Sequence, residues 1–124
     1  RRTYERCKLT DMHAMVVTDD KRIVDECLTH SIPVDIVTAE CKTGTDRVAR
    51  CAERNPQADW FINVQGDEPF ANPDDILKVA YQMEHGDHRE VVNCMSLITN
   101  PDDFWNNTIP KVIAWDGMWI LLQI

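Results

Sequence analysis

Apolar residues fall along this chain in short clusters whose spacing switches between extended and helical. Met15-Val16-Val17-Thr18 is a brief apolar run closed by Asp19-Asp20, which predicts a strand and its turn. Between Lys21 and His30, Ile23, Val24, Cys27 and Leu28 recur at helical spacing and predict a helix resting on that stripe. Val34-Asp35-Ile36-Val37 predicts a second strand, and Val48, Ala49 and Ala52 a helical stripe after the polar loop Cys41 to Thr45. Trp60-Phe61-Ile62-Asn63-Val64 predicts a third strand, which runs into Gln65-Gly66-Asp67-Glu68-Pro69. Asn72-Pro73-Asp74-Asp75 has the form of a helix start: an Asn cap, Pro in the first turn, and carboxylates near the positive dipole end. Ile76, Leu77, Val79, Ala80 and Met83 are the expected buried face of that helix. The residues up to about Lys8 read as the end of a helix without its own start signal. Beyond Gly86, Val91 to Ile98 is a strand candidate, and Lys111 to Trp115 is expected to join Met118 to Leu122 through an Asp116-Gly117 hairpin turn.

Strands alternating with helices predict an α/β domain with a mostly parallel sheet, and ligand chemistry at the carboxyl ends of its strands. Asp19 and the segment from Gln65 to Glu68 sit at such ends. A chain of 124 residues fits one domain, and it contains no internal repeat or linker. Thirteen Lys plus Arg against 21 Asp plus Glu give a net charge of -8, which repels nucleic-acid backbones and anionic membranes. Neither is an expected partner. A small anionic ligand would need local cations, backbone N–H groups or a metal ion to offset that field. The five cysteines form no C-x-x-C pair, so reduced thiols in the cytoplasm are expected, and no apolar run approaches membrane-spanning length.

Two segments carry candidate chemistry. A hydrophobic strand ending in Gly66-Asp67-Glu68 presents carboxylates at a sheet edge where Gly66 lets a ligand approach the backbone. Such a carboxylate can bind Mg²⁺, which prefers one or two carboxylates plus phosphate oxygens and water; the same residues also suit a solvated turn. In Lys42-Thr43-Gly44-Thr45-Asp46-Arg47 a glycine flanked by hydroxyls opens a helix whose N–H groups can receive a base edge or a phosphate. Taken by itself this segment reads more simply as only a helix cap, with Thr45 as the cap residue. His85 and His88, three apart around Gly86, read as solvated loop, and His13 and His30 as loop or helix-end residues. Cys27 and Cys51 read as small core residues, and Trp60, Trp105, Trp115 and Trp119 as packing groups, since no basic groove accompanies them.

In combination and in this order, Thr18-Asp19-Asp20, Thr43-Gly44-Thr45-Asp46-Arg47 and Asn63-Val64-Gln65-Gly66-Asp67-Glu68-Pro69 resemble the CMP-Kdo synthetase family, the 3-deoxy-manno-octulosonate cytidylyltransferases. The resemblance runs from about Tyr4-Glu5-Arg6 to about Lys111-Val112-Ile113, and the Asn63 to Pro69 string is its most specific part. It implies a Rossmann-like nucleotidyltransferase, or nucleotide-diphospho-sugar transferase, with a three-layer fold. The implied activity joins CTP to the anomeric hydroxyl of an eight-carbon acidic sugar and releases pyrophosphate, for lipopolysaccharide biosynthesis. By the same resemblance Asp67 is the catalytic Mg²⁺ ligand, Gln65 lies beside the sugar, and Thr43, Gly44, Thr45 and Arg47 line the nucleotide site. A homodimer is implied for the full-length parent. Another acidic sugar, amino-substituted or of the sialic type, and a catalytically silent fragment or interaction module are the alternatives.

The resemblance departs from the family at both ends. Family members begin with a strand and a glycine- and arginine-containing loop that grips the triphosphate, and no such loop occurs here. After Asp116-Gly117 the chain reads Met118-Trp119-Ile120-Leu121-Leu122-Gln123-Ile124 in place of the family's continuation. The expectation is a partial, incomplete domain over residues 1–124 that is inactive in isolation. If the motifs serve one site, Asp19, Thr43 to Arg47 and Gln65 to Glu68 converge on one edge of the sheet.

Overall fold

Where Asp19 and Asp20 end the first apolar run, backbone pairing and helix capping take over from the sequence pattern. The computed structural model describes the backbone of residues 1–86, 91–115 and 118–122, and the side chains of those up to 112. It divides into two units, Arg1–Val92 and Asn93–Ile124.

The first unit opens with helix α1 (Arg2–Lys8) and continues through strand β1 (Val16–Thr18), helix α2 (Lys21–Thr29), strand β2 (Val34–Ile36), helix α3 (Gly44–Glu53) and helix α4 (Pro73–His85). β1 and β2 are parallel, with Val16 opposite Val34, Val17 opposite Asp35 and Thr18 opposite Ile36. α2 is the crossover between them, as a parallel pair requires. Asp20 caps α2: its Oδ1 accepts the Arg22 backbone N–H at 2.8 Å, and the Arg22 guanidinium closes on the same carboxylate at 2.5 Å. Asn72 caps α4 as its sequence predicts, accepting the Asp74 N–H at 3.2 Å.

The core gathers Thr18, Val24, Cys27, Ile32, Val37 and Cys51 around the parallel pair, with Ile76 and Ala80 buried on α4. Cys27 and Cys51 are core residues, as expected. Cys51 is 1% exposed and lies 3.8 Å from Met15 Sδ, while Asn55 donates to its Sγ at 3.5 Å. Burial, and then the neighbouring Asp35 carboxylate, push the Cys51 thiol up to about 11. Burial would also raise Asp35, but hydrogen bonds from Arg54, at 2.5 Å, and from Cys51 outweigh it and hold the carboxyl below its ordinary value.

Several expectations need correction. The α2 stripe is only half used: Val24 and Cys27 are buried, whereas Ile23 and Leu28 are 45% and 64% exposed. On α3 the buried residue is Cys51, with Val48 and Ala52 half-buried and Ala49 exposed; on α4, Leu77 faces outward. Trp60 to Val64 alternates between half-buried and exposed as a strand would, yet no backbone ladder pairs it among the described residues. The parallel sheet of the described residues is thus the β1–β2 pair. Residues 91–98 are not a strand: they lack regular structure and are almost all exposed.

The second unit holds a short helix, α5 (Pro101–Trp105), and an antiparallel hairpin of β3 (Lys111–Trp115) and β4 (Met118–Leu122), with Lys111 opposite Leu122 and Trp115 opposite Met118. The hairpin is as expected; its Asp116-Gly117 turn and the side chains of Trp115 and Trp119 lie outside the described residues. Trp105 is 78% exposed and stacks edge-on against Phe104, so it is not a core group.

Two solution measurements follow from the charges. Side-chain hydrogen bonds from Arg22, then the Arg22 backbone N–H, lower the Asp20 carboxyl from 3.8 to about 2. A depressed carboxyl contributes stability above its ordinary value and loses it as pH falls through the folded one. The Arg22 amide resonance is therefore expected to titrate with a midpoint of about 2 as α2 loses its cap; a midpoint near the ordinary carboxylate value would show that the cap does not form. Cys27 and Cys51 are expected to resist a thiol-specific disulfide reagent at pH 8 until the chain unfolds, because the thiolate is the nucleophile and neither thiol is accessible.

Candidate functional site

The site is built on the amino end of α3. Thr43 has extended backbone, φ -136° and ψ 164°, and its Oγ1 accepts the Asp46 N–H at 3.1 Å while Asp46 Oδ2 accepts the Thr43 N–H at 2.9 Å. This reciprocal box makes Thr43 the cap residue and corrects the expectation of Thr45. Thr45, already inside the helix, turns its hydroxyl outward, where it accepts from Asn63 Nδ2 at 3.3 Å.

Gly44 brings the second motif against the first. A Cβ built on Gly44 would stand 3.3 Å from Gln65 Oε1 and 3.5 Å from Gln65 Nε2, so the absence of a side chain lets Gln65 lie on the helix start. Arg47, in the first turn of α3, donates from Nη2 to Asp19 Oδ2 at 2.6 Å. These contacts bring Asp19, Gly44, Thr45, Arg47, Asn63 and Gln65 together from three separate stretches of sequence.

Beyond Gln65 the chain makes two consecutive turns, closed by Glu68 N–H to Gln65 O at 3.1 Å and Ala71 N–H to Glu68 O at 3.1 Å. α1 holds this segment at both ends. Buried Thr3 donates its hydroxyl to Gly66 O at 2.9 Å, and Arg6 Nε donates to Ala71 O at 2.9 Å. Between those anchors Asp67 and Glu68 are exposed, and their side chains make no hydrogen bond or ion pair among the described residues. A Cβ at Gly66 would meet nothing within 4 Å, so no protein neighbour demands glycine there. Among the described residues no three His, Cys, Asp or Glu side chains are grouped as a protein-built metal cage needs. One or two carboxylates at 67 and 68 do suit a divalent ion that takes its other ligands from phosphate and water.

Sequence reasoning gave Thr3 and Arg6 no part in the site and quoted Asn63 only as the first residue of the Asn63 to Pro69 string. Thr3 and Arg6 act across more than 60 positions of sequence, and no local pattern signals such bonds. Two of the described histidines are engaged elsewhere: His85 Nδ1 lies 3.0 Å from Tyr81 O, its ring stacks on Tyr81, and His30 pairs with Glu26 within α2 and its cap. His88 lies outside the described residues. No helix of the described residues is long and apolar enough to cross a membrane.

Comparison with known proteins adds the frame for this cluster. A family model described as cytidylyltransferase matches residues 1–113. The chain is 33% identical over 115 residues to the 3-deoxy-manno-octulosonate cytidylyltransferase of Alcanivorax borkumensis, covering 90% of this chain and 45% of that protein. It is 32% identical over 117 residues to that of Christiangramia forsetii, 91% and 47%. To that of Zea mays it is 29% identical over 115 residues, 90% and 39%. The chain thus spans about half the length of the curated relatives it matches.

Thr43→Ala removes one half of the capping box and is expected to lower stability by about 1 kcal/mol, within the usual range for such caps. Gly44→Ala is expected to leave stability within about 1 kcal/mol, since the clashing atoms are the far end of a flexible side chain. It should nonetheless displace Gln65, seen as a shift of the Gln65 side-chain amide resonances. An unmoved Gln65 would show that the two motifs do not meet.

Proposed function

The chain belongs to the cytidylyltransferase family, and from that premise we propose that it carries nucleotide-handling residues of an enzyme that transfers CMP from CTP to 3-deoxy-manno-octulosonate, releasing pyrophosphate. The observation that carries this reading is the meeting of Gly44 with Gln65, which joins a helix amino terminus to a carboxylate loop in one cluster. The Rossmann-like, three-layer nucleotidyltransferase fold goes with it, and the parallel β1–β2 pair with its α2 crossover is the supporting part. The sugar assignment is supported by the relatives, which are 3-deoxy-manno-octulosonate cytidylyltransferases.

In the proposed reaction the anomeric hydroxyl oxygen bonds to the α-phosphorus of CTP while the bond to the pyrophosphate oxygen breaks, the pyrophosphate leaves with the bonding electron pair, and the hydroxyl proton passes to solvent. Such a transfer needs alignment of the two oxygens and neutralisation of phosphate charge more than it needs a protein nucleophile. Thr43, Gly44, Thr45 and Arg47 bind the nucleotide through the α3 amino end, whose free N–H groups and dipole favour an anion or a base edge. Gln65 offers an amide to the sugar. Asp67 would hold Mg²⁺, with Glu68 beside it; the bound ion would supply charge neutralisation at the α-phosphate. A homodimer and a cytoplasmic setting belong to the same reading, the latter supported by five free cysteines.

Calorimetric titration with CTP in the presence of Mg²⁺ tests the nucleotide reading, with CTP expected to bind and ATP not to compete. Pyrophosphate release with 3-deoxy-manno-octulosonate added, measured in a full-length relative carrying the same cluster, tests the transfer. Asp67→Asn is expected to weaken Mg²⁺-dependent CTP binding by about tenfold or more while the thermal midpoint moves by less than about 2 °C, because the side chain lies outside the core. Equal CTP affinity at limiting Mg²⁺ would exclude the role given to Asp67.

A further inference from the structure

Two adjacent carboxylates at the carboxyl end of β1 serve different partners. Buried Thr18 accepts the Asp20 N–H on its Oγ1 at 3.1 Å and fixes the turn. Asp20 is committed to α2, through its cap and Arg22. Asp19 reaches instead across 28 positions to Arg47 on α3. The Arg47 side chain is 23% exposed against 53% for Asp19, and its Nε is buried without a hydrogen-bond partner among the described residues.

An ion pair this open to solvent adds little to stability, and a buried N–H without an acceptor subtracts from it. As a stabilising device the arrangement is poor. As a way of holding a donor ready it makes sense: a guanidinium carries five N–H groups in a rigid plane, so gripping one of them fixes the direction of the rest. We propose that Asp19 is a positioning residue of the nucleotide site, its carboxylate fixing the Arg47 guanidinium beside the amino end of α3 so that its remaining donors meet an acceptor on a bound cytidine nucleotide. The side-chain freedom that binding would otherwise remove is already lost in the free protein. Asp19's role rests on the nucleotide reading of the site.

The test titrates CTP and CMP calorimetrically into the unsubstituted chain, Asp19→Asn, Arg47→Gln and the double variant, and follows the Arg47 Nε–H resonance of each without ligand. Asp19→Asn is expected to weaken CTP binding about tenfold, with the double variant no weaker than Arg47→Gln, since both changes remove one interaction. Its thermal midpoint should stay within about 2 °C of the unsubstituted chain, and its Arg47 Nε–H signal should shift and broaden before any ligand is added. Asp19→Glu, which keeps the carboxylate, should recover part of the affinity. Unchanged CTP affinity in Asp19→Asn, or losses that add in the double variant, would overturn the role of Asp19 while leaving the nucleotide reading in place. Failure of Asp19→Asn to fold would overturn it too, because the pair would then serve the fold. An unsubstituted chain that binds neither CTP nor CMP would overturn the nucleotide reading and Asp19's role with it.

Discussion

The amino end of α3 decides where everything else in the cluster can be. A helix begins with backbone N–H groups that have no partner inside the helix. Here Thr43 and Asp46 satisfy two backbone donors reciprocally, and so fix the residue at which the helix starts. Once that point is set, Gly44 falls against Gln65, Thr45 against Asn63 and Arg47 against Asp19. A helix starting two residues later, with Thr45 as cap, would leave Thr43 and Gly44 outside the helix and lose the reciprocal box that fixes them.

For the proposed nucleotide ligand the acidity of this protein is a standing conflict, and the placement of its arginines bears on it. With a net charge of -8, long-range attraction for an anion is absent, so recognition has to be short-range and geometric. Arg54 is tied to Asp35 on β2, and Arg22 to Asp20 at the helix cap. Arg47 is the one tied down within the cluster itself, by a carboxylate from another strand end. Pairing a cation in this way costs some of its charge and gains direction, a fair exchange where a ligand must be oriented as well as attracted.

Local patterns made much of the fold legible. The Asn72-Pro73 start, the β1–α2–β2 order and the hairpin at 111–122 were all written in neighbouring residues. α5 begins with the same Asn-Pro-Asp signal, at Asn100-Pro101-Asp102, and could have been found by it. What periodicity could not tell is which half of a stripe finds a partner: Ile23 and Leu28 keep helical spacing with Val24 and Cys27 yet remain exposed. The same limit applies to Trp60 to Val64, whose alternation marks an extended segment but not a ladder. In the cluster, residue types singled out the two segments that the structure brings together at Gly44 and Gln65. The contacts that join those loops depend on distant backbone atoms, and composition carries no trace of them.

The grip of α1 on the segment from Gly66 to Ala71 has a consequence for how such a loop can change over time. Both anchors land on main-chain carbonyls, which every amino acid possesses. The architecture of the loop is therefore indifferent to the identity of residues 67 and 68, whose side chains carry no structural duty among the described residues. In the proposed site, chemistry and scaffold would be held by different atoms of the same few residues. A loop arranged in this way can be rewritten one side chain at a time, trying new ligands or losing old ones, without first having to learn to fold again.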